Sequence, residues 1–513
     1  MSTRKGWRTC FRGGHLLTGD GQQPVRGGML VVDGKIERLF GPGDEAAVCA
    51  MAEDTFDATG MLLTPPLFDA HVHSSATLFR GTENSLPLEL WSFHAINYGL
   101  GFTERCLRAS TMLTAVEMIH NGIGGYIDHL PQARFASVAL DAHIASGLRV
   151  GLAPFFADLF DEDILGIPFE PDVIRRFAAL APRPPEEIRD SFAALHQRAG
   201  DADAGRIRLL LGPNAPQRCS DILWQLWRDL RDRFGLGSHT HLLETLPQAD
   251  HCRTRWPGGV VAALDRAGLL DDRLSVAHAV WLDDHDRELL ARRGVVVSHN
   301  PVSNGMLGSG SMAVRPSLDA GITLALGTDS SNTGGRHDLF QVMRQMLVAG
   351  RAPGSDFDRW ITPQEVFRAA TWGGSQALGS RTGAGTLRAG GPADVLALDF
   401  RRGSLAAAPV GIEAVVVHAD QRSVGALMVA GDWLLRGGEI KAFDEAAVTE
   451  EAEKCAAELR EIAGAAAADL AALRAPYAGW HARTFTRLSC GCGGPPGGGT
   501  RTHNPKLFPS SNG

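Results

Sequence analysis

The sequence predicts an α/β protein, a (β/α)8 TIM-like barrel carrying a small β-sandwich domain built from both chain ends. Three observations predict it. Over residues 63–380, short apolar runs alternate with longer stretches of helical period, as a barrel of parallel strands and crossover helices requires. Residues 1–62 and 381–445 share a different texture, of brief strands and glycine turns. Residues of metal-ligating type follow the first, fifth, sixth and eighth apolar runs, the carboxyl ends where a barrel builds its active site.

The barrel runs are placed at 61–68, 123–128, 148–153, 206–211, 236–241, 274–278, 295–299 and 322–328, with helices expected at 104–120, 220–234, 259–269 and 284–293. In the flanking parts, the apolar run 29–32 meets the turn signal Asp33-Gly34 and continues at 35–39, while Gly391-Pro392-Ala393-Asp394 leads into 395–398. Residues 446–485 are rich in Ala and Glu and read as helix. The Gly/Pro-rich stretch 486–513, with Cys490 and Cys492, reads as a disordered tail.

A chain of 513 residues suits a large enzyme domain with a smaller companion. A net charge of −8 argues against a nucleic-acid partner, which needs a concentrated positive surface. No apolar run approaches the length of a membrane span or a signal peptide, so no membrane partner is expected. The cysteines are scattered and a chain of this size needs no staples, so a reduced cytoplasmic protein is expected. Lysine occurs only at 5, 35, 441, 454 and 506, and the barrel has none.

Asp69-Ala70-His71-Val72-His73 closes the first run, and the period of two puts His71 and His73 on one face, where imidazoles can share an ion. His239 and His241 share a face at the end of the fifth run, and only one of them need be a ligand. Glu244 follows where the chain leaves the barrel. His278 ends the sixth run, and Ser298-His299-Asn300-Pro301 ends the seventh. Asp329 ends the eighth, and an acid directly after a buried strand is costly unless paired or metal-bound.

Taken together, these residues resemble the amidohydrolase superfamily, in the branch holding guanine, 8-oxoguanine and S-adenosylhomocysteine deaminases and triazine hydrolases. The resemblance is carried by His71-Val72-His73, His241-Leu242-Leu243-Glu244-Thr245, His278, Pro301-Val302-Ser303-Asn304 and Gly327-Thr328-Asp329-Ser330. It extends through Ala370-Thr371-Trp372-Gly373-Gly374, Ala377-Leu378-Gly379 and Gly391-Pro392-Ala393-Asp394, and spans about residues 10–445. It departs at Pro65-Pro66, where relatives usually have Pro-Gly, and at Asn300, where many have Cys.

The resemblance implies that His71, His73, His241 and Asp329 hold one divalent metal ion, Zn2+ with Fe2+ as the alternative, and that His278 contacts the bound water. Dimetal relatives use a carboxylated lysine after strand four, which a lysine-free barrel cannot supply. A dication acidifies water. Asp329 would take the proton, His278 would orient the nucleophile, and Glu244 would protonate the ring nitrogen and then the departing amine. Gln217, Arg218, Trp91, Ser303 and Asn304 are the substrate-binding candidates, and His129 a supporting group. The expected function is hydrolytic deamination of an aminated nitrogen heterocycle, a small-molecule substrate. A same-fold hydrolase removing chloride or alkylamine, or opening a cyclic amide, stays open, as do a non-catalytic metal-binding protein and a homo-oligomer.

Overall fold

A computed structural model describes residues 6–490 except 20–22, 84, 175–176, 178–181, 203–204, 352–353 and 380–382. Eight strands close a barrel: β1 (Leu67–Val72), β2 (Ile123–Leu130), β3 (Arg149–Phe156), β4 (Ile207–Pro213), β5 (Gly237–Leu242), β6 (Leu274–His278), β7 (Val296–His299) and β8 (Thr323–Leu326). Each pairs in parallel with the next, and β8 returns to β1 through Leu326 and Asp69. The apolar faces of the surrounding helices and the outer faces of the strands form one large core, with Tyr126, Phe192, Trp227, Phe340 and Phe367 fully buried in it.

The first expected run, 61–68, divides. Met61–Thr64 pairs antiparallel with Val395–Asp399 in a separate sheet, and β1 starts only at Leu67. Pro65 and Pro66 offer no N–H to a ladder, so the strand breaks there and changes sheets. The sheet it leaves has nine strands drawn from both chain ends. Met61–Thr64 is its hinge, since its other neighbour is Arg8–Leu16. Residues of both halves, among them Phe11, Met29, Val31, Val395, Ala397 and Met428, share one apolar cluster.

One expectation is corrected here. The cysteines are not all reduced: Cys10 and Cys49 form a disulfide, with Cα atoms 5.4 Å apart. Their separation of 39 residues hides the proximity. It arises because the helix Glu45–Cys49 packs on the strand Arg8–Leu16. The sheet is tied to the barrel by the Arg149 guanidinium, which donates from Nε and Nη2 to Asp394 at 2.7 and 2.9 Å in a buried fork.

Four helices matter for the site: α1 (Leu88–Leu100), α2 (Leu246–Arg255), α3 (Glu445–Gly464) and α4 (Arg474–Cys490). The helical segment expected at 446–485 is thus broken into α3, the short helix Ala467–Ala472 and α4, and α4 runs on to Cys490. The rest of the expected tail, with Cys492, lies outside the described residues. Asn97 of α1 donates to the Ala463 carbonyl of α3 at 2.9 Å, and Arg105 bridges Glu451 and Glu458. Among the described residues, no helix is long and apolar enough to cross a membrane.

Candidate metal centre

His71 and His73 lie at the end of β1, His241 on β5, and Asp329 just past β8, and the fold brings all four to one point. His73 Nε2 stands 3.3 Å from Asp329 Oδ1, His71 Nε2 stands 3.5 Å from the same oxygen, and His241 Nε2 is 3.3 Å from His73 Nε2. A tetrahedral ion with bonds of about 2.0–2.1 Å sets its ligand atoms about 3.3 Å apart, so the donor set fits a divalent cation. His71 Nε2 is buried with no hydrogen-bond partner among the described residues, as expected of an atom aimed at an ion.

Each imidazole is fixed from behind. His73 Nδ1 donates to the His129 carbonyl at 2.5 Å, and His241 Nδ1 to the Asn214 carbonyl at 2.6 Å. Both bonds need the proton on Nδ1 and leave the Nε2 lone pair facing the centre. His71 Nδ1 lies 2.8 Å from His239 Nε2, and His239 Nδ1 lies 2.8 Å from Ser275 Oγ. Burial and the neighbouring His71 hold the His239 imidazole well below its ordinary pKa, so it is neutral and can accept the His71 proton. His239 thereby backs the His71 imidazole, a candidate ligand.

The backbone is strained where β5, β6 and β8 end. Asp329 has φ 65° and His278 φ 72°, with Leu243 at 47° and Ala279 at 48°, all left-handed. Non-glycine residues there cost of order 1–3 kcal/mol each and persist only where their surroundings hold them. The Asp329 N–H donates to the His71 carbonyl at 2.8 Å, and Asp69 accepts from Thr328 N at 3.0 Å and Thr328 Oγ1 at 2.6 Å. Gly327 is required at this point, since a Cβ there would fall 2.4 Å from Asn300 Oδ1 and 2.9 Å from the His71 Cβ.

Charge is arranged around the cluster. Burial alone would raise Asp329, but the His71 and His73 imidazoles hold it well below the usual carboxylate range. Burial pushes His71 down to about 3, so it is neutral. Glu244 behaves oppositely: burial, then the charge of Asp329, raises its carboxyl well above the ordinary range, with Arg218 opposing. Its Oε2 stands 3.7 Å from His278 Nε2, and its Oε1 is buried without a partner among the described residues. His278 Nδ1 lies 2.8 Å from Asn304 Oδ1, so that nitrogen carries the proton. Its Nε2 then faces Glu244 and Asp329, whose Oδ2 is 3.9 Å away.

The other candidates divide. Ser303 Oγ donates to Asp329 Oδ2 at 2.6 Å and so belongs to the centre. Asn304 Nδ2 and Gln217 Nε2 are buried donors with no partner among the described residues. Arg218 is already engaged: Nε donates to Asp161 Oδ1 at 2.8 Å, Nη2 to the other oxygen, and Nη1 to Asn214 Oδ1 at 2.9 Å. Trp91 is part of an apolar cluster with Leu90, Phe93, Phe169, Leu473 and Trp480. His129 stacks against His73 with both ring nitrogens buried and unpartnered among the described residues.

Sequence reasoning missed Asp161 and Glu89. Asp161 opens the short helix Asp161–Ile164, with no motif around it. Glu89 had a signal, a lone acid in the apolar stretch Leu88-Glu89-Leu90-Trp91, and is buried in the structure.

The comparisons with known proteins agree with one another. A model described as amidohydrolase family matches residues 62–434. The 5'-deoxyadenosine deaminase of Methanothermobacter thermautotrophicus is 32% identical over 442 residues, covering 85% of this chain and 95% of that protein. The 5-methylthioadenosine/S-adenosylhomocysteine deaminase of Thermococcus kodakarensis is 30% identical over 427 residues, with 83% and 93% covered. In shape, an adenosine deaminase from Xanthomonas campestris with bound zinc superposes with a TM-score of 0.80 at 23% identity, over 90% of this chain and 100% of that one, a likeness of fold.

Proposed function

Because the chain belongs to the amidohydrolase family, we propose that it is a metal-dependent hydrolytic deaminase acting on an aminated nitrogen heterocycle, with adenine-bearing nucleosides the first substrates to test. The observation that carries this reading is the Glu244 carboxyl, buried, set 3.7 Å from His278 beside the candidate ligand cluster, with Oε1 unpartnered among the described residues and its pKa raised by burial and by Asp329. A carboxylic acid kept protonated at neutral pH is what departure of an amine needs, since ammonia leaves poorly unless a proton reaches it.

In this reading His71, His73, His241 and Asp329 hold one ion, Zn2+ in preference to Fe2+. A divalent ion bound there lowers the pKa of water from about 15.7 towards about 7 and so supplies a nucleophile at neutral pH. His278, with its Nε2 lone pair turned inward, would accept a hydrogen bond from the attacking water and orient it. Asp329, its Oδ2 steadied by Ser303, would receive the water proton. Glu244 would donate its proton to the ring nitrogen beside the amino-bearing carbon, take up the proton of the newly added hydroxyl as the carbonyl forms and pass it to the departing amine, and the proton held by Asp329 would then return to Glu244. Gln217 Nε2 and Asn304 Nδ2, unpartnered among the described residues, are donors for a ring nitrogen or carbonyl. Arg218, locked by Asp161, stiffens the wall near Glu244 and is left out of direct contact.

The division of labour belongs to the same proposal: a catalytic barrel over 63–380, a β-unit from 1–62 and 381–445, and a helical segment beyond. Protein stripped by a chelator and reloaded with zinc or iron is assayed for ammonia release from 5'-deoxyadenosine, adenosine, guanine and amino-triazines. Release restored by metal supports the reading. A metal-loaded protein silent on the panel shifts it to loss of chloride or alkylamine.

A further inference from the structure

Tyr477 of α4 lies beyond residue 434, where the family match ends, yet it reaches the loop that carries Glu244. Its hydroxyl donates to Glu89 Oε2 at 3.0 Å, and the other oxygen of that carboxyl accepts from Thr245 Oγ1 at 2.7 Å. Glu89, Thr245 and Tyr477 are all buried. Thr245 is the residue after Glu244 and the N-cap of α2, where it forms a capping box with Gln248. Gln248 Nε2 donates in turn to Asp161 Oδ2 at 3.3 Å, beside Arg218.

This connection has a job to do. Leu243, immediately before Glu244, is left-handed at φ 47°, a conformation that its surroundings must enforce. On its far side the enforcement comes through Thr245, Glu89 and Tyr477. The α4 helix is itself held in place: Tyr477 and Trp480, with Leu470 and Leu473 just before the helix, pack in one cluster with Leu86, Trp91 and Phe169, and Trp480 Nε1 donates to the Leu165 carbonyl at 3.2 Å. Arg487 donates to Asp250 of α2 at 2.8 Å, so α4 holds that helix at a second point.

We propose that Glu89 and Tyr477 are positioning residues for the reaction, a buried hydroxyl–carboxylate–hydroxyl clamp by which the C-terminal helix fixes the Glu244 loop over the metal centre. This rests on the reading of Glu244 as the acid. Positioning errors near 1 Å can cost about a hundredfold in rate. Tyr477→Phe, which removes one oxygen and keeps the ring, should therefore lower kcat about tenfold or more with KM within about twofold and the zinc content unchanged.

The test pairs that kinetic split with amide hydrogen exchange over residues 243–250 of the full-length, zinc-loaded protein, a readout that needs no turnover. Faster exchange there in Tyr477→Phe, with kcat reduced and KM held, is the expected result. Thr245→Ser, which keeps the hydroxyl, should match the parent where Thr245→Val does not. Unchanged exchange overturns the clamp, and faster exchange with unchanged kcat overturns its role in positioning. Loss of zinc, or a change in KM alone, overturns it as well. If Glu244→Gln itself turns over normally, the reading of the acid fails first, and the exchange data still report whether the clamp exists.

Discussion

Glu244 and His278 face each other at 3.7 Å, carboxyl Oε2 to imidazole Nε2, and both are reached through left-handed backbone: Leu243 before the acid at φ 47°, and His278 itself at φ 72°. The chain is bent at the ends of β5 and β6 so that a carboxyl whose pKa is raised meets an imidazole whose pKa is lowered, beside the candidate ligand cluster. Burial is the first cause of both shifts, upward for Glu244 and downward for His278.

Glu244→Gln removes the transferable proton and keeps the shape. It is expected to retain stoichiometric metal and to lose turnover by about two to four orders of magnitude. Metal content by elemental analysis alongside kcat checks this, and near-normal turnover removes Glu244 from the role.

The pH profile follows in sign. In the proposed reaction Glu244 acts in its protonated form, and its pKa is raised, so activity should be present at lower pH and fall as pH rises through that raised value. The kcat profile of the metal-loaded enzyme should show a descending alkaline limb that moves when Glu244→Asp is substituted. A kcat that climbs steadily into the alkaline range would contradict it.

His239 sets the tautomer of His71 through the 2.8 Å contact to Nδ1. His239→Phe should weaken metal affinity about 10–100-fold, and His239→Gln, which can still accept the proton, should recover part of the loss. Competition with a metal-binding dye measures both. Equal affinity in parent and His239→Phe would assign the residue to packing alone.

Arg149 and Asp394 join the barrel to the outer sheet in a buried fork. Arg149→Met leaves the Asp394 carboxylate buried and unpaired, which should cost about 3–5 kcal/mol in denaturant unfolding. The double variant with Asp394→Asn should recover part of that. A change within about 0.5 kcal/mol in the single variant would show the fork to be dispensable.

Much of this could be read locally. His71 and His73 share a face because strands alternate, and Asp329 stands out as an acid after an apolar strand, so their convergence follows once the barrel closes. What the sequence hid was non-local. Pro65-Pro66 turned one expected strand into two because a ladder needs an N–H, and Cys10 met Cys49 only through packing of a helix on a strand. Arg218 was legible as a cation near the site but not as one already held by Asp161. Trp91 has the ring a planar substrate would need, and its helix turns it into an apolar cluster with α4 instead. Glu89 and Tyr477 meet across most of the chain, and no local pattern announces such a pair.

The most direct test of the central claim is the fate of the substrate in water enriched in heavy oxygen. Zinc-loaded protein is incubated with 5'-deoxyadenosine and the other aminated rings, and ammonia and product mass are read together. The account predicts one ammonia released per product ring and one heavy oxygen on the carbon that bore the amine, both abolished in Glu244→Gln. Metal-loaded protein that releases no ammonia from any of these rings, or a product lacking oxygen from water, would contradict it.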